Sequence, residues 1–122
     1  MRAAAAAVAA LAVVFPGGAA AKTVNPTRVQ VVAKEFYYAL SRHSVVAGPS
    51  IVELVDFGED PHDLRLERVG GTHVYGTPIV QPGAYYDLSV KLLPGKYMLW
   101  CSVANHRQLG MQAILTVKAR PG

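Results

Sequence analysis

Apolar and polar residues alternate along short stretches of this chain, and turns rich in glycine or proline separate the stretches. The clearest case is residues 85–92, in which every second position from Tyr86 to Leu92 is apolar and the positions between are mostly polar. Successive side chains of a β-strand point to opposite faces, so a period of two predicts a strand with one buried face.

The same reasoning predicts strands along the rest of the chain after residue 21. Residues 28–41 are rich in Val, Phe and Tyr and predict two short strands or one bent strand. Further strands are predicted at residues 51–57, 62–69, 96–101 and 112–118. Residues 42–49 contain turn residues and predict a connection. Seven or eight short strands without a helical period predict an all-β fold, an antiparallel Greek-key β-sandwich.

Residues 1–21 have the composition of a secretory signal peptide. Arg2 precedes an unbroken apolar run at residues 3–15, and the alanines at 19–21 precede the expected cleavage before Lys22. A transmembrane anchor is the alternative, but the run is shorter than the ~20 strongly apolar residues that a span needs. We therefore expect a secreted or periplasmic protein with one domain at residues 22–122, in contact with a membrane only if the leader stays uncleaved.

Charge and cysteine content reduce the number of possible functions further. The formal net charge is +4, and the Lys and Arg residues are scattered rather than clustered. Nucleic acid is therefore not an expected partner, because its binding needs a concentrated basic stripe. The single cysteine, Cys101, cannot form an internal disulfide. In an oxidising compartment such a cysteine is paired between chains, reactive, or protected by burial or by a metal.

Four candidate metal ligands decide among these alternatives. Cys101 is followed by His106 and then Met111, each after four intervening residues, and His62 lies upstream at the start of a predicted strand. Alternation places His62 on the same inward face as Leu64. One thiolate, two imidazoles and a thioether form the ligand set of copper electron-transfer sites, in which the thioether is a weak axial ligand.

Each residue taken alone has a simpler explanation, since a lone cysteine or methionine is more often part of a core. The four ligand types in this order outweigh those explanations. Met98 is the competing thioether, but it has the opposite parity to Cys101 and should point to the other sheet face. His43 and His73 lie in loops without ligand-type neighbours, so we expect both at the surface.

This ligand order resembles that of the cupredoxins, the small blue copper proteins of the plastocyanin and azurin type, over nearly all of the chain after the leader. The resemblance implies a cupredoxin-like sandwich that binds one type 1 copper ion through His62, Cys101, His106 and Met111. It also implies that His106 forms the exposed edge of the site, where redox partner proteins dock on a monomer.

Two positions depart from the pattern of related proteins. The loop before the second histidine often contains Pro-Gly, where this chain has Ala104-Asn105, and Asn105 can adopt the left-handed backbone in place of glycine. The residue after the first histidine is commonly Asn, where this chain has Asp63. An ionised Asp63 can only accept hydrogen bonds, from a backbone N–H or from a hydroxyl such as that of Ser102. Its charge should stabilise Cu(II) over Cu(I).

We therefore expect an exported one-electron carrier that is not an enzyme. Multicopper enzymes of the wider family need a second copper site, and the four histidines of this chain leave no ligand set for one. A catalytic triad is also not indicated, because no nucleophile motif is present. The alternative is a copper delivery or buffering protein that uses the same ligands, and a third possibility is an interaction domain with a vestigial site.

Overall fold

The computed structural model describes residues 2–18 and 23–122. Residues 2–18 are exposed and have no regular secondary structure. The expected cleavage site at residues 19–22 lies outside the described residues, so the signal peptide stays a prediction. Within the described ranges, no helix is long and apolar enough to cross a membrane.

Nine strands form in the part of the chain from residue 23 onward that the structure describes. In chain order they are β1 (Thr27–Lys34), β2 (Tyr37–Leu40), β3 (Ser44–Val46), β4 (Gly48–Asp56), β5 (Arg65–Arg68), β6 (Val74–Gly76), β7 (Tyr85–Leu92), β8 (Gly95–Trp100) and β9 (Gln112–Lys118). The all-β sandwich is confirmed. Nine strands exceed the predicted seven or eight, and the two that were not predicted individually are short: β3 lies in the expected connection, and β6 lies in a glycine-rich segment.

The strands form two sheets with the orders β2-β1-β4-β7 and β3-β9-β8-β5-β6. Most neighbours are antiparallel, but β1 pairs with β4 and β3 pairs with β9 in parallel. Both sheets are therefore mixed, so the prediction of a wholly antiparallel sandwich was wrong for these two strand pairs. Alternation identifies a strand but not its partner, and these pairs are joined by long-range connections that sequence spacing does not reveal.

The core lies between the sheets and is built from the inward positions of each strand. In β1, Val29, Val31 and Ala33 are fully buried while the residues between them are not. The opposite sheet contributes Leu66 and Leu99, which are also fully buried. Burying a side chain of this size contributes about 1.5–3 kcal/mol, so the core holds the two sheets as one rigid support.

Strand β7 differs from its sequence pattern at one end. Val90 and Leu92 are buried as predicted, but Tyr86, on the same face, is 40% exposed. Strand β7 lies at the edge of its sheet. The alternation was correct, but burial of the inward positions decreases toward the N-terminal end of the strand.

Candidate metal centre

The loop between β8 and β9 carries three of the four predicted ligands and is closed by its own backbone. Cys101 follows the last residue of β8, and Met111 precedes the first residue of β9. The Cys101 N–H donates to the Met111 carbonyl at 3.1 Å, and the Met111 N–H donates to the His106 carbonyl at 3.1 Å. Because β8 and β9 are antiparallel neighbours, the sheet holds both ends of the loop together.

His62 reaches the same end of the sandwich from the segment before β5. Its backbone forms an isolated antiparallel bridge with Val80, with N···O distances of 3.1 and 2.7 Å in the two directions. Its side chain is fully buried, as is that of Leu64. The inward direction predicted from alternation is therefore what the structure shows.

Three of the predicted donors converge on one point. The Nδ1 atoms of His62 and His106 are 3.2 Å apart, and Cys101 Sγ lies 4.0 Å from the first and 3.6 Å from the second. The centre of the circle through these three atoms lies about 2.1 Å from each of them, close to the metal–nitrogen and metal–sulfur distances of about 2.0 and 2.3 Å found for zinc. His62, Cys101 and His106 are buried and form a cluster positioned to bind a metal ion.

Met111 lies beside this cluster in the chain and in the fold. Its side chain is fully buried, and its backbone bonds to both Cys101 and His106. Its role as the fourth ligand stays a prediction. The competing Met98 lies on the outer face of β8, in a cleft that it lines with Trp100 and Arg107.

The other two histidines are separate from the site. His43 and His73 are both exposed, as expected. The ring of His73 packs edge-on against Tyr75, with 4.3 Å between centroids. Among the described residues, the cluster of His62, Cys101 and His106 is the one group of His, Cys, Asp or Glu with metal-binding spacing.

Asp63 joins the two segments that carry the predicted ligands. Its Oδ1 accepts a hydrogen bond from the Ser102 backbone N–H at 2.6 Å, and its Oδ2 accepts from the Ser102 hydroxyl. Arg65 Nη2 lies 3.4 Å from the same Oδ2. The contacts with Ser102 are those that an acceptor-only side chain allows. Residues adjacent to His62 and Cys101 are thereby bonded to each other, which keeps the two segments at a constant separation.

The outer nitrogens of both histidines face carboxylates. His62 Nε2 lies 3.2 Å from Glu35 Oε1, and His106 Nε2 lies 3.9 Å from Asp60 Oδ2. The backbone N–H of Asp60 is the main reason that the pKa of Glu35 is lowered to about 2. Sequence reasoning did not find Glu35, because it precedes His62 by 27 positions and no motif connects them.

The thiol of Cys101 is almost completely buried. The residue is 1% exposed, and burial raises the pKa of its thiol. Nearby, the Tyr38 hydroxyl donates to the Asp63 carbonyl at 2.5 Å. The pKa of Tyr38 is also raised, first by burial and then by the nearby Cys101 and Asp63. A metal that binds here must displace the thiol proton, so its affinity should rise with pH.

The loop backbone corrects one expectation and explains how His106 is held. The residue with a left-handed backbone is Ala104, with φ of 45°, rather than Asn105. The ring of Phe36 packs against that of His106, with centroids 4.7 Å apart and planes inclined at 51°. Phe36 belongs to the turn between β1 and β2, so this contact packs that turn against the β8–β9 loop and restricts the ring of His106.

His106 lies closer to the surface than the other donors. It is 6% exposed, against 0% for His62, and the neighbouring Leu109 is 51% exposed. Ala104 and Gly110 are exposed beside it. Of these three exposed positions beside His106, Leu109 is the one with a large apolar side chain.

Comparisons with known proteins agree on the architecture. No protein-family model matches the chain, and no curated protein matches its sequence. Among solved structures, auracyanin from Roseiflexus castenholzii is similar with a TM-score of 0.64 and 16% identity, over 78% of this chain and 98% of that one. Auracyanin A from Chloroflexus aurantiacus, described as a blue copper protein, has a TM-score of 0.63 and 15% identity, over 77% and 100%.

The similarity extends to other members of the fold. A purple cupredoxin from Nitrosopumilus maritimus has a TM-score of 0.54 and 18% identity, over 73% of this chain and 98% of that one. A copper-containing nitrite reductase from Thermus scotoductus has a TM-score of 0.54 and 23% identity, and the match covers 88% of this chain but 26% of the enzyme. At these identities the likeness establishes architecture, and the chain has the cupredoxin fold.

Proposed function

We propose that this protein is an exported type 1 copper protein that carries one electron at a time. The observation that supports this most strongly is the triangle of His62 Nδ1, His106 Nδ1 and Cys101 Sγ, whose dimensions suit a single metal ion. Two imidazoles and a thiolate in one plane, with a distant thioether, form the donor set that favours copper. Met111 supplies that thioether in this proposal.

The chain provides a rigid site from which water is excluded. Copper bound there would gain and lose one electron between its Cu(II) and Cu(I) states. The loop is bonded to itself, Asp63 bonds it to the segment of His62, and Phe36 packs against His106. Donors that keep their positions in both oxidation states reduce the reorganisation that electron transfer requires, and their burial keeps water from becoming a ligand.

Electron exchange is proposed to occur at the rim of His106. Leu109, Ala104 and Gly110 are exposed, uncharged positions beside the least buried histidine, and the charged Arg107 and Asp60 lie next to them. A redox partner that docks there transiently would approach the metal through the imidazole of His106. The near-complete burial of the donors disfavours copper delivery, since transfer of the ion to another protein requires access to it.

The test is addition of Cu(II) to purified residues 22–122, which contain all nine strands. We expect an intense visible thiolate-to-copper band and a reversible one-electron couple. Cys101→Ser should abolish the band, and His62→Ala should weaken or remove it. His73→Ala is the matched control, because it removes an exposed imidazole outside the cluster. Absence of the band in the unmodified protein would refute the proposal.

The same sample separates the two functions. An electron carrier should retain its copper when it is mixed with a competing chelator and should exchange electrons rapidly with a second molecule of itself. A delivery protein should release copper to the chelator within minutes. Rapid release without electron exchange would favour delivery.

A further inference from the structure

The carboxylate of Glu35 lies in a cradle formed by the turn after β4. Its Oε1 accepts hydrogen bonds from the backbone N–H groups of Glu59, at 2.6 Å, and Asp60, at 2.7 Å. The Phe57 N–H donates to the Ala33 carbonyl at 3.0 Å, which holds the turn against the end of β1. The position of the carboxylate is therefore set by backbone groups of a fixed turn.

Gly58 is required by this arrangement because of space. A Cβ atom at this position would lie 2.3 Å from Glu35 Oε1, far inside van der Waals contact. The backbone of Gly58 is not in the left-handed region, so another residue could adopt the same conformation. The absence of a side chain at residue 58 therefore leaves the space that the Glu35 carboxylate occupies.

The cradled oxygen also faces His62. Glu35 Oε1 lies 3.2 Å from His62 Nε2, while His62 Nδ1 points into the donor triangle. A carboxylate can only accept a hydrogen bond, so His62 must carry its ring hydrogen on Nε2. Its Nδ1 then presents a lone pair to the metal position. The corresponding distance from His106 to Asp60, 3.9 Å, is too long for a hydrogen bond.

We propose that Glu35 is a positioning residue of the metal centre: held by the backbone N–H groups of Glu59 and Asp60 in the space that Gly58 leaves, it fixes the tautomer and the ring orientation of His62. This deepens the proposed function and rests on it for the identity of the metal. A carboxylate behind a ligating imidazole also makes the imidazole a stronger donor, and changes to such groups typically reduce metal affinity about 10- to 100-fold. The charge favours the Cu(II) state.

The test uses three variants. Glu35→Gln keeps an oxygen that can accept from the two backbone N–H groups but removes the charge. Gly58→Ala leaves Glu35 in the sequence but displaces its carboxylate, which can move because it is the end of a flexible side chain. Glu59→Gln is the matched control, because it removes an equal charge from an exposed side chain of the same turn.

Two measurements are made on each protein. Nitrogen NMR of the metal-free form reports which nitrogen of His62 carries the hydrogen, and titration with Zn(II) and Cu(II) reports affinity. We expect Nε2–H in the unmodified protein and in Glu59→Gln. In Gly58→Ala, which moves the acceptor away, we expect a mixture of tautomers, whereas Glu35→Gln keeps the acceptor oxygen and should keep Nε2–H. In both variants we expect a loss of Cu(II) affinity of roughly 10-fold or more. If Cu(I) affinity is unchanged, that tenfold loss raises the potential by about 59 mV.

The outcomes distinguish this inference from the proposed function. A His62 that carries its hydrogen on Nδ1 in the unmodified metal-free protein overturns the inference, whether or not the variants fold. The inference also fails if Gly58→Ala keeps a single Nε2–H tautomer, or if Glu35→Gln matches Glu59→Gln in affinity, each variant being shown to fold by its backbone amide spectrum. If the protein binds Zn(II) but gives no copper band, the proposed function is wrong. The role of Glu35 is then judged from the tautomer of His62 alone.

Discussion

Replacement of Asp63 tests how the two ligand-bearing segments are held together. In Asp63→Ala, the Ser102 N–H and the Ser102 hydroxyl lose a charged acceptor. Hydrogen bonds to charged groups contribute about 1.5–3 kcal/mol each. Ser102 is exposed, so water partly replaces the lost bonds. The ion pair with Arg65, whose side chain is 37% exposed, adds little. We expect unfolding free energy to fall by about 2–4 kcal/mol.

Urea denaturation of the metal-free protein measures this loss. With an m value of about 2 kcal/mol/M, the midpoint should fall by about 1–2 M. Asp63→Asn should lose about half as much, because its amide oxygen still accepts from the Ser102 N–H. Asp87→Asn is the matched control, since it removes an exposed carboxylate on β7 and should stay within about 0.5 kcal/mol of the unmodified protein. A loss below about 1 kcal/mol in Asp63→Ala would contradict the reasoning.

The copper-loaded form gives a second readout of the same residue. Asp63→Asn removes a negative charge beside the site and should raise the reduction potential, because the carboxylate favours Cu(II). Cyclic voltammetry of the two proteins at one pH measures the change. An unchanged or lower potential would show that Asp63 acts on structure alone.

Three further predictions concern other positions. Met111→Leu nearly conserves side-chain volume, so it should cost less than about 1.5 kcal/mol of unfolding free energy in urea denaturation. In the copper-loaded variant the visible band should persist and voltammetry should show a raised potential. An unchanged potential would argue against ligation by Met111. Because φ of Ala104 is 45°, Ala104→Gly should be neutral or slightly stabilising, and Ala104→Pro should cost more than about 1 kcal/mol in the same denaturation assay. A tolerated proline would contradict the left-handed backbone. Asp56 is fully buried, no hydrogen bond to its Oδ2 occurs among the described residues, and burial raises its pKa above 3.8. Its ionisation therefore lowers the stability of the folded protein as pH rises past 3.8. Asp56→Asn should be more stable than the unmodified protein at pH 7 and should lose that advantage near pH 3. An equal stability difference at both pH values would refute this.

Sequence reasoning succeeded where the physical cause is local. Alternation identified the inward face of His62 and the opposite face for Met98, because side-chain direction follows from position along a strand. It also placed Cys101 at the end of β8 and the two predicted ligands that follow it in one loop. It overestimated the burial of Tyr86, since burial requires an opposing sheet that the strand itself does not specify.

The sequence by itself determined the longer strands, their inward faces, the donor types and the contacts open to Asp63, because these follow from residue chemistry and a period of two. The tertiary structure alone decided the parallel pairings of the two mixed sheets, the left-handed backbone at Ala104, and the placement of Glu35 behind His62. Each of these depends on which distant segments pack together, and packing is a property of the whole chain rather than of a local pattern.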